Sequence, residues 1–487
     1  MREKLLVLIA ALIAFGGAVA VPFQYDDYAI FADPALASAA GWRDVWLPLQ
    51  TRPLTYLTFW FNFQTAGKTA WSYHALNLAI HVACCLLLLD VLSRQLPRRT
   101  AFFAALLFAV HPLQSEAVIY IFARGGMLAT LFCLVAFRCW LMEKQWTAAL
   151  WSIPALLAKE ECAAFPLFLA LWPGLREHWK PIAAMCGLSL AAGLRAIAAT
   201  YAIGGAGSGF AAGTTPAAYL WAQGTVIIRY LRLFLIPWGF SIDPQFDAQF
   251  AWLGWLSLIA LGVLAWRWQH RIWLLGALVL LAPSSSIFPA ADLSADRRMY
   301  LPMIALCVCA AILLANIVRA RIPIVPMVIL AALAILSISR IAVWSSEESL
   351  WSEALNRAPR KVRPRLMLAR VVAPAQAMRL LETAKTLEPE NPAVYAEIGR
   401  LQLQSGRSAE ALASFGRALA LKPGDPHALN NRGVALLAIG QSDAARADFE
   451  AALIADPCQF DARLNLQRFD LPATCRYTGE QRKAMAQ

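Results

Sequence analysis

Residues 389–423 read PENPAVYAEIGRLQLQSGRSAEALASFGRALALKP, and residues 423–457 read PGDPHALNNRGVALLAIGQSDAARADFEAALIADP. Aligned with a step of 34 positions, the two stretches repeat the same residues at fixed places: Gly399 and Gly433, Gly406 and Gly440, Ala411 and Ala445, Phe415 and Phe449, Ala418 and Ala452, and Pro389, Pro423 and Pro457. Small residues suit points where two helices touch, an aromatic side chain fills the second helix, and a proline marks its exit. The pattern therefore predicts an all-α stack of helical pairs.

This period and residue pattern are those of the tetratricopeptide repeat. Upstream, Ala377, Leu381 and Ala384 fit a third, degenerate unit that begins near Ala358, and residues 460–469 are predicted to form a capping helix. About three repeats are the minimum for a stable stack. Because such stacks usually present a concave surface to a peptide or protein, residues 344–487 are predicted to be a protein-binding domain. A purely structural spacer is the alternative.

The chain before residue 344 is predicted to be a membrane domain, residues 1–343. Of the 487 residues, 59% are hydrophobic and 15% are charged, and the mean hydropathy is +0.54, whereas a soluble protein carries about 25% charged residues. Residues 219–237 carry Arg229 and Arg232 on an apolar body, which predicts an interfacial helix. Apolar runs long enough to cross ~30 Å of hydrocarbon predict about eleven spans, at 5–21, 73–92, 101–115, 127–142, 146–158, 161–175, 181–199, 251–266, 272–288, 299–318 and 322–343.

Lysine and arginine residues in the short loops predict the orientation. They fall on alternate sides of successive spans, at Arg2 and Lys4; Arg94, Arg98 and Arg99; Arg138 and Lys144; Arg176 and Lys180; Arg267 and Arg271; and Arg319 and Arg321. That face is predicted to be cytoplasmic, so eleven spans in an inner membrane place the N-terminus inside and the repeats outside. The net charge of +12 is mostly this topology signal, and no basic, aromatic-interleaved patch indicates nucleic-acid binding. A cleavable signal peptide ending at Ala18-Val19-Ala20 is the alternative for the first span.

Cysteine usage agrees with an outward repeat domain. Eight of the ten cysteines lie in or beside predicted spans, where a buried thiol behaves as a small hydrophobe. Cys458 and Cys475 lie apart from these, and in an oxidising compartment they are predicted to form a disulfide. No CxxC or His-rich spacing typical of a metal site occurs.

Ionisable residues collect in the predicted outward loops. Tyr25-Asp26-Asp27-Tyr28 directly follows the first span. Adjacent carboxylates at a membrane surface are costly because they repel each other and each prefers water. They are predicted to supply a general base or a metal ligand for a reaction on a lipid-borne substrate; a solvated loop start or helix cap is the alternative.

Cationic residues recur on the same predicted face, where they suit a phosphate at the bilayer boundary. The alternative is that arginine and lysine side chains near span ends simply reach toward water. The polar residues of these loops are His111, Glu116, Arg124, Lys159, Glu160, Glu161, Asp296, Arg297, Arg298 and Tyr300.

At these residues the chain resembles a known family. The stretches RPLTYLTFWFN (52–62), WSYHALNLAIH (71–81), FAVHPLQSEAV (108–118), AKE (158–160) and DRRMYLP (296–302) are similar to those of bacterial relatives of the transmembrane and tetratricopeptide-repeat-containing protein O-mannosyltransferases. The resemblance implies a GT-C glycosyltransferase fold. It also implies a donor in which a sugar is linked to a polyprenyl phosphate, and an acceptor that is a Ser or Thr hydroxyl of a protein.

The resemblance also implies roles for single residues. Asp26 and Asp27 match the acidic pair of the family's first outward loop, and Glu116 matches an acidic position in the next one. Lys159 resembles a lysine that meets the donor phosphate in related transferases. The family usually has one Glu-Arg pair where this chain has Asp296-Arg297-Arg298, which leaves open which arginine faces the phosphate. Arg124 and Tyr300 are further candidates for binding the phosphate, His111 and Glu160 are other candidate site residues, and a divalent metal is an open alternative.

Two other function classes remain at this point. A transferase of the same fold could modify a lipid or a cell-surface glycan, and it would keep the loop carboxylates but tolerate deletion of residues 345–487. The other class is a non-enzymatic scaffold or a transporter, of which a scaffold would not need Asp26 or Asp27. A transporter is typically built from internal repeats between its membrane halves, and the sequence has no clear repeat of that kind.

Overall fold

All regular secondary structure in the described part of the chain is helical. The computed structural model describes residues 1–31, 33–46, 51–202, 214–285, 289–290, 292–319 and 324–468. Their contacts define two units, one of Met1–Asp27 with Ala39–Ser346 and the other of Tyr28–Ser38 with Glu347–Gln487. The predicted all-α class is confirmed.

The helices before residue 344 vary widely in length. They are α1 (Arg2–Phe15), α2 (Asp27–Ile30), α3 (Gly41–Asp44), α4 (Pro53–Ala66), α5 (Ala70–Leu92), α6 (Arg98–Val110), α7 (Ser115–Ile119), α8 (Arg124–Trp140), α9 (Gln145–Ala158), α10 (Phe165–Ala170), α11 (Leu175–Ala202), α12 (Pro216–Leu235), α13 (Ala251–Arg267), α14 (Arg271–Leu281), α15 (Met303–Arg319) and α16 (Ile324–Val343). Short 3₁₀ turns interrupt them, among them Glu160–Ala164 and Asp296–Met299.

Six helices of the described residues are long and apolar enough to cross a membrane, which makes the chain a multi-pass membrane protein. They are Arg2–Ala20, Ala70–Leu92, Ile121–Trp140, Leu175–Ala199, Ala248–Arg267 and Ile324–Val343. A seventh is added if α6 and the helix after it, which bend by 50°, form one span. The count of eleven is not confirmed. Periodicity alone does not separate a span from a shorter buried helix, and α9 and α10 have only 14 and 6 residues.

Charged residues near the ends of four helices of the first unit form two ion pairs. Arg98 Nε lies 2.8 Å from Glu3 Oε1, and Arg138 Nε lies 2.9 Å from Asp90 Oδ2. These contacts join the start of α1 to the start of α6 and the end of α5 to the end of α8. The arrangement is the one expected when successive helices cross in alternate directions.

Helical pairs build the second unit. Its helices are α17 (Glu347–Arg357), α18 (Arg363–Ala369), α19 (Pro374–Leu387), α20 (Pro392–Gln404), α21 (Ser408–Leu421), α22 (Pro426–Ala438), α23 (Ser442–Ala455) and α24 (Phe460–Asn465). The pair α18 and α19 is the predicted third repeat, with Ala377, Leu381 and Ala384 fully buried. The predicted capping helix is α24, which ends at Asn465, and Phe469 lies outside the described residues.

The 34-residue period has a simple steric origin. A Cβ on Gly399 would lie 2.8 Å from Phe415 Cε1, and a Cβ on Gly433 would lie 2.5 Å from Phe449 Cε1. Each glycine therefore lets the aromatic ring of the second helix pack directly on the first helix. Gly406 and Gly440, at the turns between the paired helices, have φ of 74° and 82°, a conformation that glycine adopts without strain.

Replacing Gly433 with alanine is expected to lower the free energy of unfolding of the repeat unit by about 1–3 kcal/mol, because the added methyl group overpacks the ring of Phe449. Gly416 is the matched control, since no described atom lies within 4 Å of where its Cβ would be. Alanine there should be neutral or stabilise by up to about 1 kcal/mol. Pulse proteolysis of the full chain in urea would measure both, and equal effects at the two positions would contradict the packing argument.

The cysteines that the structure describes fall into the two predicted groups, one in the membrane part and one in the repeats. The eight cysteines of the first unit are free thiols, whereas Cys458 is disulfide-bonded. Cys475 lies outside the described residues, so its pairing with Cys458 stays a prediction. Non-reducing mass spectrometry should detect the two peptides cross-linked, and two free thiols would contradict the pairing. A disulfide between Cys458 and Cys475 would close a loop of about 15–20 residues. Such a loop is expected to stabilise the last repeat by about 3 kcal/mol, because it lowers the entropy of the unfolded chain.

Candidate functional site

A cavity of about 450 Å³ in the first unit brings together side chains from distant loops. Its charged lining residues are four cations, Arg52, Lys159, Arg297 and Arg298, and three carboxylates, Glu160, Glu161 and Asp292. The remaining lining residues are Thr51, Phe122, Ala163, Gly193, Ala196, Ile197, Pro283, Ser284, Pro289 and Ala290. Paired and unpaired charges in one concave site make it the candidate functional site.

Lys159 reaches the cavity because α9 ends immediately before it. The backbone of Lys159 is extended, with φ −162° and ψ 132°, and a 3₁₀ turn follows. Its side chain is almost fully buried, and Nζ lies 2.8 Å from Glu161 Oε2. Burial lowers the pKa of Lys159, and the charge of Glu161 partly offsets this. The backbone before Lys159 also approaches α8 closely, since a Cβ on Gly125 would lie 3.0 Å from the Ala158 carbonyl oxygen.

Arg52 and Glu160 form a two-pronged ion pair on the cavity wall. Arg52 Nε and Nη2 lie 3.1 Å and 2.5 Å from the two carboxylate oxygens of Glu160. Burial alone would raise the pKa of Glu160, but the guanidinium charge outweighs it and holds the pKa below its ordinary value. Arg52 was not among the predicted site residues, although it begins the RPLTYLTFWFN stretch; nothing in the sequence indicates that it pairs with a residue 108 positions away.

Glu116 fixes the turn that carries the two arginines. Its carboxylate accepts a hydrogen bond of 2.7 Å from the Asp296 amide and a second one from the Arg297 guanidinium. Arg297 also lies 3.4 Å from Asp292 Oδ2 and packs over the ring of Tyr120. Glu116 is thus held as a positioning residue, and Arg297 is already neutralised by two carboxylates.

A second buried ion pair supports the same turn from α12. Arg229 donates to both carboxylate oxygens of Asp296, at 3.0 Å for the Nη2–Oδ2 contact. The interfacial helix expected at 219–237 therefore needs correcting at this residue: Arg229 is buried against Asp296 rather than exposed at a membrane surface. An arginine on an apolar helix gives the same sequence pattern in both cases.

Arg298 differs from the other cavity cations. Its guanidinium donates to the backbone carbonyl oxygens of Asp292 at 2.8 Å and Leu293 at 3.2 Å. Arg52, Lys159 and Arg297 each form an ion pair with a carboxylate, and within the described ranges Arg298 forms none. Among the four described cavity cations, Arg298 is therefore the one that no carboxylate contacts directly, although the charge of Glu161 acts on it from a longer distance, and an anion in the cavity could form a direct ion pair with it.

Asp27 lies next to the cavity, because it contacts the lining residue Phe122, whereas neither Asp26 nor Asp27 is itself a lining residue. Asp27 is 1% exposed, and its two carboxylate oxygens accept hydrogen bonds from the backbone amides of Gln24 at 3.0 Å and Phe122 at 2.9 Å. Burial raises the pKa of Asp27 to about 7, against the opposing effect of these two amides. Asp26 is less buried and interacts with Tyr120, which also interacts with Arg297. The preceding residue, Tyr25, has a φ of 47°, an uncommon conformation for a non-glycine residue.

Arg124 is placed away from the cavity wall, in a buried network of neutral groups. It donates to Asn77 Oδ1 at 2.6 Å, Asn62 Oδ1 at 2.8 Å and the Tyr73 carbonyl oxygen at 2.9 Å. Its guanidinium also packs over the ring of Phe59. With its donors used in this way, Arg124 holds α4, α5 and α8 together and is not placed to contact a phosphate in the cavity.

His111 and Tyr300 also have structural partners. His111 Nδ1 accepts from the Leu113 amide at 3.1 Å, so its Nε2 is the nitrogen that donates to the Phe234 carbonyl oxygen at 3.0 Å. The Tyr300 hydroxyl lies 2.8 Å from His81 Nδ1, beside a small cavity that adjoins the main one. Among the residues that the structure describes, no three His, Cys, Asp or Glu side chains come together as a metal site.

One repeat family and several proteins of known name match segments of this chain. Residues 397–459 match the tetratricopeptide repeat family. Protein O-mannosyl-transferase TMTC3 of Mus musculus is 34% identical over 136 residues, which cover 24% of this chain and 15% of that protein. Protein O-mannosyl-transferase TMTC1 of Homo sapiens is 34% identical over 145 residues, covering 26% of this chain and 16% of that protein. These findings confirm the predicted resemblance, and the matched segment spans about a sixth of the length of these relatives.

Among solved structures, ArnT from Cupriavidus metallidurans bound to undecaprenyl phosphate aligns with 92% of this chain and 79% of its own chain. The TM-score of that alignment is 0.41, and the sequence identity is 12%.

Proposed function

We propose that this chain is a membrane glycosyltransferase of the GT-C type, which moves a sugar from a polyprenyl-phosphate-linked donor to a Ser or Thr hydroxyl of a protein. The observation that carries the proposal is the cavity in which four cations converge, with Asp27 hydrogen-bonded to the backbone of the lining residue Phe122 and Asp26 preceding Asp27 in the chain. The similarity to proteins named protein O-mannosyl-transferases supports the choice of reaction.

The cations of the cavity suit the phosphate of the donor. Arg298 is the arginine that we assign to this phosphate, because Arg297 is already engaged by Glu116 and Asp292. Lys159 is the second ligand, since an entering phosphate can take the place of Glu161 at its ammonium group. Charges fixed in a cavity before the reaction stabilise a leaving group without the cost of reorganisation.

The reaction is a direct displacement at the anomeric carbon of the sugar. The acceptor oxygen forms a bond to that carbon while the bond to the phosphate oxygen breaks, and the acceptor proton passes to a carboxylate. Asp26 is the base that we favour, because both oxygens of Asp27 are already held by backbone amides. The departing phosphate keeps the electron pair of the broken bond, so it needs neutralising charge more than it needs a proton.

The repeats are proposed to hold the acceptor protein outside the cytoplasm. Seven spans, like eleven, put the two ends of the membrane domain on opposite sides, whereas six put them on the same side. With seven spans, a reporter fused after Gln487 should be active outside the cytoplasm, and one fused after Arg99 should be active inside. Activity of both reporters on one side would contradict the proposed orientation and the outward position of Asp26.

Comparison of glycoproteins in cells with and without the gene tests the reaction. Peptides that carry a sugar on Ser or Thr should disappear from outward-facing proteins, and the wild-type gene should restore them. A variant with both Asp26 and Asp27 changed to asparagine should fail to restore them at equal protein level. If the peptides persist while a lipid or surface glycan loses a sugar, the alternative transferase is correct.

A further inference from the structure

One wall of the cavity differs in chemistry from the others. Helix α11 contributes Gly193, Ala196 and Ile197. Ala196 and Ile197 follow Gly193 by three and four positions, so the three residues lie on one face of the helix. None of these residues is polar. The charged lining residues come instead from the loops at 51–52, 159–161 and 292–298.

The apolar wall extends beyond α11. Pro283, Pro289 and Ala290, which follow α14, also line the cavity. The cavity therefore has an ionic part and an apolar part. That combination suits a molecule with an anionic head and a hydrocarbon chain better than a fully water-soluble anion such as a nucleotide.

The α11 wall belongs to a helix that is long and apolar enough to cross a membrane. The span Leu175–Ala199 is strongly apolar, and only 17% of the residues in its most apolar stretch are buried inside the protein. Leu190 and Leu194, on either side of Gly193, are 65% and 58% exposed. Apart from α11 itself, no atom of the described residues lies within 4 Å of the position that a Cβ on Gly193 would occupy. Within the described residues there is thus open space beside Gly193, where α11 lines the cavity.

We infer that the α11 face of Gly193, Ala196 and Ile197 is a lateral opening, through which the hydrocarbon chain of a lipid-linked phosphate passes from the bilayer into the cavity. The inference rests on the proposed function. The phosphate lies at Arg298 and Lys159, while the chain stays in hydrocarbon, because moving its CH₂ groups into water is unfavourable. Small residues at positions 193 and 196 provide the gap that such a chain needs.

Binding of two phosphates to the purified full chain in detergent tests the opening without requiring that the sugar be known. The probes are undecaprenyl phosphate, with a long chain, and geranyl phosphate, with a short chain. Phenylalanine at Gly193 should weaken undecaprenyl phosphate binding by about tenfold or more and change geranyl phosphate binding by less than about twofold. Retained binding of the short-chain probe shows that the variant is folded.

Gly187→Phe is the matched control. Gly187 lies on the same helix and has the same open surroundings, but it does not line the cavity, so both phosphates should bind as to the parent. Ala196→Trp is a second blocking variant and should act as Gly193→Phe does. Parent-like binding of undecaprenyl phosphate by both blocking variants would overturn the opening, and so would equal loss of both probes.

The proposed function fails in a different way. If the parent binds neither phosphate, or if Arg298→Ala binds both as the parent does, the cavity is not a phosphate site. If Arg298→Ala weakens both probes while Gly193→Phe weakens neither, the phosphate site stands and the lateral opening does not.

Discussion

Replacing Asp26 with asparagine is expected to lower the rate of sugar transfer by about 10²–10⁴, because a positioned general base contributes about that much and an amide cannot take a proton. The protein should remain folded and inserted, since asparagine has nearly the same shape. Asp26 is less buried than Asp27, and its neighbour Tyr120 packs against Arg297 of the cavity wall. Of the two carboxylates it is the better placed to meet an acceptor hydroxyl.

Asp27→Asn should also lower the rate, but for a different reason. The carboxylate of Asp27 accepts from the Gln24 and Phe122 amides, and an asparagine NH₂ would face one of these donors. The loop before Asp27 would then lose either its internal hydrogen bond from Gln24 or its attachment to Phe122, which lines the cavity. Asp27 is therefore a positioning residue in this account, and its loss should raise KM for the acceptor as well as lower kcat.

The pH profile separates these two roles. The pKa of Asp27 is raised to about 7 by burial, so its ionised form, which accepts both amides, is lost as the pH falls below about 7. Transfer by the parent should decrease on that acidic side, and Asp27→Asn should lack this inflection. Stability should change in the opposite direction. Because folding raises the pKa, the folded state binds a proton that the unfolded state releases, and stability declines as the pH rises toward 7.

Purified enzyme, with a lipid-linked donor and an acceptor peptide identified by the glycoprotein comparison, would give these rates. If Asp26→Asn and Asp27→Asn both transfer at the parent rate, neither carboxylate is the base and the pair has only a structural role. The next acidic candidate, Glu116, would then be considered as the base, although it is already engaged by Asp296 and Arg297.

Arg298→Ala is expected to lower kcat/KM for the donor by about 10²–10³, the loss typical for removing one fixed group that stabilises developing negative charge. Lys159→Ala should mainly weaken donor binding, because its proposed partner is the lipid phosphate in the ground state. Arg298→Lys should restore only part of the activity, since an ammonium group keeps the charge but cannot make the two-pronged contacts of a guanidinium.

Arg297→Ala is the informative contrast, because it should damage stability before chemistry. It would leave the carboxylate of Glu116 buried without the guanidinium, and breaking a buried ion pair costs about 3–5 kcal/mol. Donor kinetics combined with thermal unfolding in detergent would distinguish the two arginines. A lower unfolding temperature for Arg298→Ala together with unchanged donor kinetics would show that the assignment of the two arginines is reversed.

Local sequence determines the repeat unit. Gly433 and Phe449 lie on two helices that are joined by one short turn, and they pack against each other. The same glycine–phenylalanine contact occurs 34 residues earlier, between Gly399 and Phe415. Because each pair lies within one repeat, short-range pattern predicts both the helices and their packing. The apolar composition likewise indicates a multi-pass membrane protein, because several apolar helices are long enough to cross the hydrocarbon of a bilayer. It does not give the number of spans, because apolar helices buried in protein have the same composition as those that cross the bilayer.

Local pattern is enough to identify the candidate residue types, the repeat fold and the membrane character of this protein, whereas the pairing of its charges depends on the folded structure. Arg297 meets Glu116 across 181 positions, Arg229 meets Asp296 across 67, and Arg52 meets Glu160 across 108. The sequence pattern around an arginine is the same whether its partner in the folded protein is a carboxylate, a neutral amide or a ligand. Its role depends on which charges remain unneutralised after folding, and that is a property of three-dimensional neighbours rather than of local pattern.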